Sequence, residues 1–525
     1  MFTPTEEQVF NNSLVAEGKN ICIQAGAGSG KSTSLRYFAQ QNSDKNFLIL
    51  CFNKANAEES NNHPERPANI WYSTIHAIAY REIVTKTMRE KLAPYLNYRD
   101  IDTRIFDKLD LLSEYSGKLT KEQEREKKDV IFALTKMVLD AVTLYTRSDS
   151  TNIKEFSIGL YSNWLGEGKQ LIEENDIVTE RKLVEATDEQ IDALGEYTRK
   201  FWLLLIDEGS NCSITHDVYL KLFHLRGYSI TTFYDKQTKQ EYEIDVLGLD
   251  EAQDSNPVTV AIFKNSNIAQ KIVVGDSMQQ LYSWRGADDA LDVFPNFETG
   301  TLTTSFRFNS TIADLANEVL GLAEAKIRVK GESTREELKS HTILCRTNSA
   351  VISTIFKYAS EGLKVYTTAD LQDLFSKLYH TQAVYFGTVP KFPNKSLRHI
   401  MTKEALEDAM RISPELNLLN RLAAQISKEC GTLSNGINTI KQTLVDNEHD
   451  ADVIVSTIHK SKGLEWDEVT IADSLIIPQP DKEQEEAVDN WLTEKDNLCI
   501  LYVAITRAKV KVNIPWYLED VLINN

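Results

Sequence analysis

Residues 25–32 read Ala-Gly-Ala-Gly-Ser-Gly-Lys-Ser, directly after the apolar run Ile21-Cys-Ile23. Few folds accommodate such a segment. A buried strand must end, the backbone must curl at Gly26, Gly28 and Gly30, and a helix must begin near Lys31. Successive N–H groups of the curl then point at one anion, and the positive end of the helix adds to the same site. Ala25 stands where the usual pattern has its first glycine and is small enough to allow the turn. The pattern implies binding of a nucleoside triphosphate, with Ala25, Gly26, Ala27, Gly28, Ser29 and Gly30 as the cradle. Lys31 then reaches the β- and γ-phosphates, and the Ser32 hydroxyl ligates Mg²⁺.

Hydrolysis requires a carboxylate on the metal shell and a second one on the attacking water. Two Asp-Glu pairs compete, Asp207-Glu208 and Asp250-Glu251. The stretch from Glu196 to Ile206 spaces its apolar residues at helical intervals, so Asp207-Glu208-Gly209 reads as a helix end with a glycine cap. Asp250 instead follows the strand-like run Tyr242–Leu249. A second apolar strand, Ile272-Val-Val274, closes on Gly275-Asp276. Asp250 is therefore the expected metal ligand and Glu251 the expected general base.

Composition bounds the class without naming it. At 525 residues the chain is long enough for three or four domains. Its six cysteines form no C-x-x-C pair, and Cys22, Cys51, Cys345 and Cys499 lie in apolar runs that read as buried thiols. No apolar run approaches the ~18 residues of a membrane span, and no leader is evident. These features lead to the expectation of a cytoplasmic or nucleoid-associated protein with no membrane partner. The net charge of −19 argues against long-range attraction to nucleic acid. It is compatible with a protein that grips single strands by stacking bases on aromatic side chains.

The residues after Val274 combine a polar group with aromatics: Gly275-Asp-Ser-Met-Gln279-Gln-Leu-Tyr282-Ser-Trp284-Arg285. This segment resembles motif III of the UvrD/Rep-like superfamily 1 helicases, and further matches follow in the family's order. Thr3-Pro4 to Gln8 is similar to the adenine-reading Q motif, Phe52-Asn53-Lys-Ala to motif Ia, and Ser73-Thr74-Ile-His76 to motif Ib. Leu302 to Arg307 resembles motif IV, with Phe306 where an adenine-stacking tyrosine is common. Ser456-Thr457-Ile-His459 through Glu465-Trp466 resembles motif V, and Tyr502 to Ala508, including Arg507, resembles motif VI. Within the family the chain looks most like the F-box DNA helicase subgroup, through Asn53–Glu59, Ile214–Lys221 and His459–Asp467. A Q motif at residue 3 leads to the expectation of no F-box ahead of it, and the short tail after Arg507 to that of no nuclease domain.

The resemblance implies an α/β fold of two RecA-like parallel-sheet domains with two mainly helical insertions. The first domain takes residues 1–80 and 201–285, with an insertion at 81–200. The second takes 286–372 and 450–525, with a short insertion at 373–449. The mixed-charge run Lys118–Lys128 reads as a solvated helix face, and Asp481–Glu486 as an exposed loop. The resemblance also implies roles. Gln8 reads adenine, Phe306 stacks on it, and Glu465 contacts the ribose. Gln279 senses the γ-phosphate, and Arg307 and Arg507 act as arginine fingers. Phe52, Asn53, Thr74, His76, Tyr282, Trp284, Arg285, Thr457 and His459 line a DNA path; a structural hydrogen bond is the competing reading for each histidine. The implied partners are ATP, Mg²⁺, single-stranded DNA and tailed duplex DNA, with 3′→5′ movement. Translocation and strand separation share every motif, so an ATPase that strips proteins or acts as a switch without productive unwinding is a second reading. An RNA-directed helicase is a third, against which motifs III and V favour the DNA branch.

Overall fold

The computed structural model describes residues 3–174, 177–281, 291, 293–394, 396–397, 400–476 and 484–522. They form two units. The first comprises residues 1–25, 30–170 and 181–302; the second comprises 26–29, 171–180 and 303–525.

The first unit is built on a parallel sheet of six strands. These are β1 (Ile21–Ala25), β2 (Phe47–Leu50), β3 (Ile70–Ser73), β4 (Val246–Leu249), β5 (Gln270–Gly275) and β6 (Glu298–Leu302). Their order is β6-β1-β5-β4-β2-β3. Short runs such as Phe-Leu-Ile-Leu in β2 are buried throughout because helices cover both faces of a parallel sheet. Phe47 and Ile49 join a core with Leu35 and Phe38 of the helix Lys31–Gln41. Leu48 and Leu50 point the other way, into a larger core that continues through the first insertion to Met137, Tyr145, Tyr161 and Trp202. The insertion thus shares one core with a sheet face. The mixed-charge run opens the helix Lys121–Arg147 and is largely exposed, as expected of a solvated face.

The expected domain change at residue 286 falls elsewhere. β6 pairs with β1 from Ile21↔Glu298 to Ala25↔Leu302, so the first sheet ends only at Leu302. The strand-like run before Asp250 is also divided. Gln240–Glu243 pairs antiparallel with Thr232–Asp235 as a hairpin, and β4 starts anew at Val246.

The second unit carries a five-stranded parallel sheet. Its strands are β7 (His341–Cys345), β8 (Val365–Thr367), β9 (Val453–Thr457), β10 (Trp466–Ile471) and β11 (Ala508–Asn513), in the order β8-β9-β7-β10-β11. Between β8 and β9 the second insertion supplies the helices Leu371–Tyr385, Lys403–Ile412, Pro414–Cys430 and Leu433–Thr443. Their apolar faces pack with the helix Asn348–Ser360 and with Val453 and Val455. The acidic run beginning at Asp481 lies outside the described residues as far as Glu483; residues 484–486 open the helix Gln484–Leu492 rather than a loop. Cys51, Cys345 and Cys499 are buried as expected, Cys22 is only half-buried, and none of the six cysteines forms a disulfide.

Gly248 sits at the centre of the first sheet, opposite Ile49. A Cβ there would collide with the Ile49 Cδ1 methyl. Gly248→Ala is therefore expected to cost about 1–3 kcal/mol of stability. Adding Ile49→Val should recover part of it, a coupling that urea denaturation of the single and double variants measures.

Candidate functional site

The loop after β1 turns on Gly28 (φ 70°) and Gly30 (φ 79°), both in the left-handed region that glycine adopts without strain. Gly30 is the N-cap of the helix Lys31–Gln41 and offers no side-chain cap. The first N–H groups of that helix are therefore left for an anion. The Ser29 hydroxyl is buried with no hydrogen-bond partner in the protein, as a group awaiting a phosphate oxygen would be.

Strand order brings the acids to this loop. β5 lies between β1 and β4, so the carboxyl ends carrying Lys31, Asp276 and Asp250 adjoin. Lys31 Nζ stands 3.4 Å from Glu251 Oε1. Glu251 has a left-handed backbone (φ 51°), which costs a non-glycine residue about 1–3 kcal/mol. It is held there from several sides. Its N–H donates to Asp250 Oδ1 at 3.0 Å, and its Oε2 accepts from Gln253 Nε2 at 2.7 Å. Gln253 Oε1 in turn accepts from the Asp276 N–H at 3.0 Å. Asp276 Oδ2 accepts from Gln279 Nε2 at 2.6 Å. The expected base and the expected γ-phosphate sensor are thus linked by one hydrogen-bonded chain, Glu251–Gln253–Asp276–Gln279.

The electrostatics are those of an over-filled anionic site. Burial alone would lower the Lys31 pKa, yet Glu251, Asp276 and Asp250 together hold it above its ordinary value. Burial, reinforced by the Glu251 charge, pushes the Asp250 carboxyl up, and burial does the same to Asp276 against the pull of Lys31. Three carboxyl groups around one ammonium leave negative charge that a divalent cation would match. Among the described residues no three His, Cys, Asp or Glu side chains form a cage for a metal. Mg²⁺ keeps waters and phosphate oxygens and takes one or two carboxylates; Asp250 and Ser32 are the residues that would hold it.

The competing pair sits elsewhere. The helix Asp188–Ile206 ends before Asp207, whose Oδ1 accepts from the Gly209 N–H at 3.0 Å. The helix end is as expected, but its cap is not glycine: Gly209 keeps an ordinary φ, and the Asp207 side chain makes the turn.

Gln8 departs from its expected role. It is fully buried. Its Oε1 accepts from the Thr5 N–H at 2.9 Å in a capping box, and its Nε2 donates to Ser34 Oγ, also at 2.9 Å. In this structure it offers no surface to a base and braces the helix that follows the phosphate loop.

In the second unit, Arg307 Nε donates to Glu465 Oε2 at 2.7 Å and its Nη1 to the Thr506 carbonyl at 3.0 Å. Lys509 lies 3.1 Å from the other Glu465 oxygen. Although burial opposes it, these two cations hold the Glu465 carboxyl below its usual range. Arg507 is buried, with its guanidinium on the carbonyls of Val503 (3.1 Å) and Leu464 (3.3 Å). Phe306 is half exposed. Residues 26–29 group with this unit; the Phe306 N–H donates to the Gly28 carbonyl, and the Ala27 N–H to the Tyr502 hydroxyl.

Of the residues expected along a DNA path, Phe52 is exposed. Asn53 and Thr74 are N-caps of the helices Lys54–Asn62 and Ile75–Ile83, accepting from Asn56 and Ala77 N–H groups. Thr457 Oγ1 accepts from the Lys460 N–H, and His459 is half-buried. His76 Nε2 meets Asp217 Oδ1 at 3.2 Å, while Arg147 Nε donates to Asp217 Oδ2 at 3.1 Å. Tyr282, Trp284 and Arg285 lie outside the described residues.

The UvrD/REP helicase N-terminal domain family matches residues 6–291, and the UvrD-like helicase C-terminal domain matches residues 394–519. The chain belongs to the UvrD/REP helicase family. It is similar to F-box DNA helicase protein 1 of Schizosaccharomyces pombe, 24% identical over 97% of this chain and 57% of the relative. It is also similar to F-box DNA helicase 1 of Gallus gallus, 28% identical over 98% of this chain and 49% of the relative. ATP-dependent DNA helicase PcrA of Bacillus subtilis is 25% identical over 57% of this chain and 37% of the relative. The chain thus spans about half the length of the F-box relatives it matches.

Sequence reasoning missed two supports of this UvrD/REP helicase site. Gln253 follows Glu251 by two residues and carries no signal of its own in the sequence; only its geometry shows it clamping Glu251. Asp217 was noted as a subgroup marker, yet it orients His76 across 141 residues of sequence. Both lead to predictions. A Cβ on Gly275 would lie 2.6 Å from Gln253 Oε1. Gly275→Ala should therefore loosen Glu251 and lower the turnover number about 10–100-fold with the fold intact, as steady-state ATPase assays and circular dichroism would show. For Asp217, burial opposes ionisation, but His76 and Arg147 hold the carboxyl below its usual range. Its stabilising effect is present above the ordinary carboxylate pKa and is lost as pH falls through the lower folded value. Asp217→Asn should cost about 1–3 kcal/mol near neutral pH. The gap to the unmodified chain should close in acid, which denaturant titrations across pH would record.

Proposed function

We propose that the chain is an ATP-dependent DNA helicase or translocase that moves 3′→5′ on single-stranded DNA and separates duplex DNA, serving repair, recombination or replication. The observation that carries this reading is the chain Glu251–Gln253–Asp276–Gln279 beside Lys31. A hydrolytic base bonded to a sensor one strand away is what a motor needs, because the state of the nucleotide then reaches the segment leading to Tyr282, Trp284 and Arg285. The similarity to proteins named DNA helicases supports DNA as the substrate.

In this reading the helix N-terminus at Lys31 and the loop N–H groups bind the triphosphate, and Lys31 pairs with its terminal oxygens. Doing so draws Lys31 away from Glu251 and frees that carboxylate to take a proton from water. Bound Mg²⁺ would neutralise charge developing between the β- and γ-phosphates. Gln253 keeps Glu251 aimed, and Gln279 reports the γ-phosphate. Arg307 and Arg507 supply positive charge to the transition state, a contribution worth ~10³–10⁵ in rate for such fingers. To do so Arg307 must leave Glu465, and Arg507 must exchange protein partners, among them the Val503 and Leu464 carbonyls, for phosphate oxygens. Asn53 and Thr74, at the starts of two helices, and His76, held by Asp217, belong to the DNA path in this reading.

Loss of a general base typically costs ~10²–10⁴ in rate. Glu251→Gln should therefore abolish most DNA-stimulated turnover while ATP still binds. Asp207→Asn/Glu208→Gln should stay within a few-fold of the unmodified chain. Unwinding of 3′-tailed over 5′-tailed duplexes checks the direction, and Trp284→Ala should impair unwinding more than basal hydrolysis. An inactive 207/208 variant beside an active Glu251→Gln would misplace the site, and preference for 5′-tailed duplexes would overturn the direction.

A further inference from the structure

Acidic residues make up roughly one position in seven of this chain (77 of 525), yet none occurs from Leu374 to Lys403. That stretch carries five Lys or Arg residues and the aromatics Phe375, Tyr379, Tyr385, Phe386 and Phe392. It comprises most of the helix Leu371–Tyr385 in the second insertion and the loop that follows it. Val389 and Phe392, at 76% and 77% exposure, are the two most exposed large apolar side chains among the described residues, and Phe386 is 70% exposed.

The exposure is built, not accidental. The loop is tied back to the helix by buried polar groups. The Asn394 N–H donates to His380 Nδ1 at 3.2 Å, and Asn394 Nδ2 donates to Asp373 at 3.0 Å and to Ser376 at 3.2 Å. His380 Nε2 donates to the Ile400 carbonyl at 2.8 Å. Lys377 is buried on Asp373 and takes no part in the surface. The exposed cations stand against the rings: Lys391 Nζ lies 5.5 Å from the Phe392 ring centre, and Lys403 Nζ 5.2 Å from that of Tyr385. Lys403 also lies 3.8 Å from Glu407, at the far side of the acid-free stretch. An anchored loop that holds aromatic faces and cations out to water discards apolar burial, unless another surface covers it.

We propose that this loop is a second nucleic-acid contact, in which Phe386 and Phe392 stack on bases of a single strand while Lys391 and Lys403 meet its phosphates. Charge selects the occupant. A polyanion fits an acid-free basic stretch on a chain of net charge −19, and flat unpaired bases fit exposed rings beside cations. The site is separate from the motif residues of the path proposed above, and it rests on that reading only in taking DNA as the ligand.

The test is fluorescence anisotropy of a labelled oligo-dT with the full chain, beside the ATPase rate at saturating DNA. Stacking on an aromatic is worth about tenfold or more in affinity per base. Phe386→Ala/Phe392→Ala should thus weaken oligo-dT binding at least tenfold with an unchanged melting temperature and a DNA-saturated turnover within twofold. Phe386→Tyr/Phe392→Tyr, which keeps the rings, should retain affinity. Lys391→Glu should weaken binding and flatten its dependence on salt. Oligo-dT affinity of the double alanine variant within twofold of the unmodified chain would overturn the proposal and leave the loop to a protein partner. Failure of the motor reading shows separately, as an ATPase rate indifferent to DNA.

Discussion

One ammonium among three carboxyl groups is the arrangement on which the rest of the first unit depends. Glu251, Asp276 and Asp250 together keep the largely enclosed Lys31 charged, and the Lys31 charge in turn opposes the burial that pushes Asp250 and Asp276 up. The sheet must then place three strand ends side by side, which the order β1-β5-β4 does. The strand crossovers, the absence of a side chain at Gly275 and the left-handed turn at Glu251 all serve that convergence.

Such a cluster is poor at stabilising a fold, since desolvation of charge offsets most of the attraction. Its value is chemical. With negative charge in excess and two carboxyl groups pushed towards protonation, the site gains when a cation and a phosphate chain enter together. The same bonds that fix Glu251 lead through Gln253 and Asp276 to Gln279 at the next strand end. In the second unit Glu465 plays a comparable holding role, keeping Arg307 and Lys509 paired.

Much of this was legible in the sequence because local chemistry and position coincide there. Gly-Lys-Ser after an apolar run admits little besides the loop observed, and the helical spacing before Asp207 matches the helix that ends there. What stayed hidden depended on partners distant in sequence. Gln8 resembles an adenine reader, but its neighbours Thr5 and Ser34 claim its amide. Asn53 and Thr74 carry polar side chains suited to DNA, yet each first satisfies a helix end. The Arg147–Asp217–His76 contact joins three helices and has no local signature. The end of the first sheet at Leu302 was missed because β6 lies within a segment whose motif suggested the second domain.

The central claim is that hydrolysis at the Lys31–Glu251 cluster is driven by a nucleic-acid strand. The most direct test is the steady-state ATPase rate of the unmodified chain alone, with single-stranded DNA, and with RNA of the same sequence. Strong stimulation by DNA, little by RNA and a low rate without either is the predicted result. Equal rates in all three conditions would contradict the account.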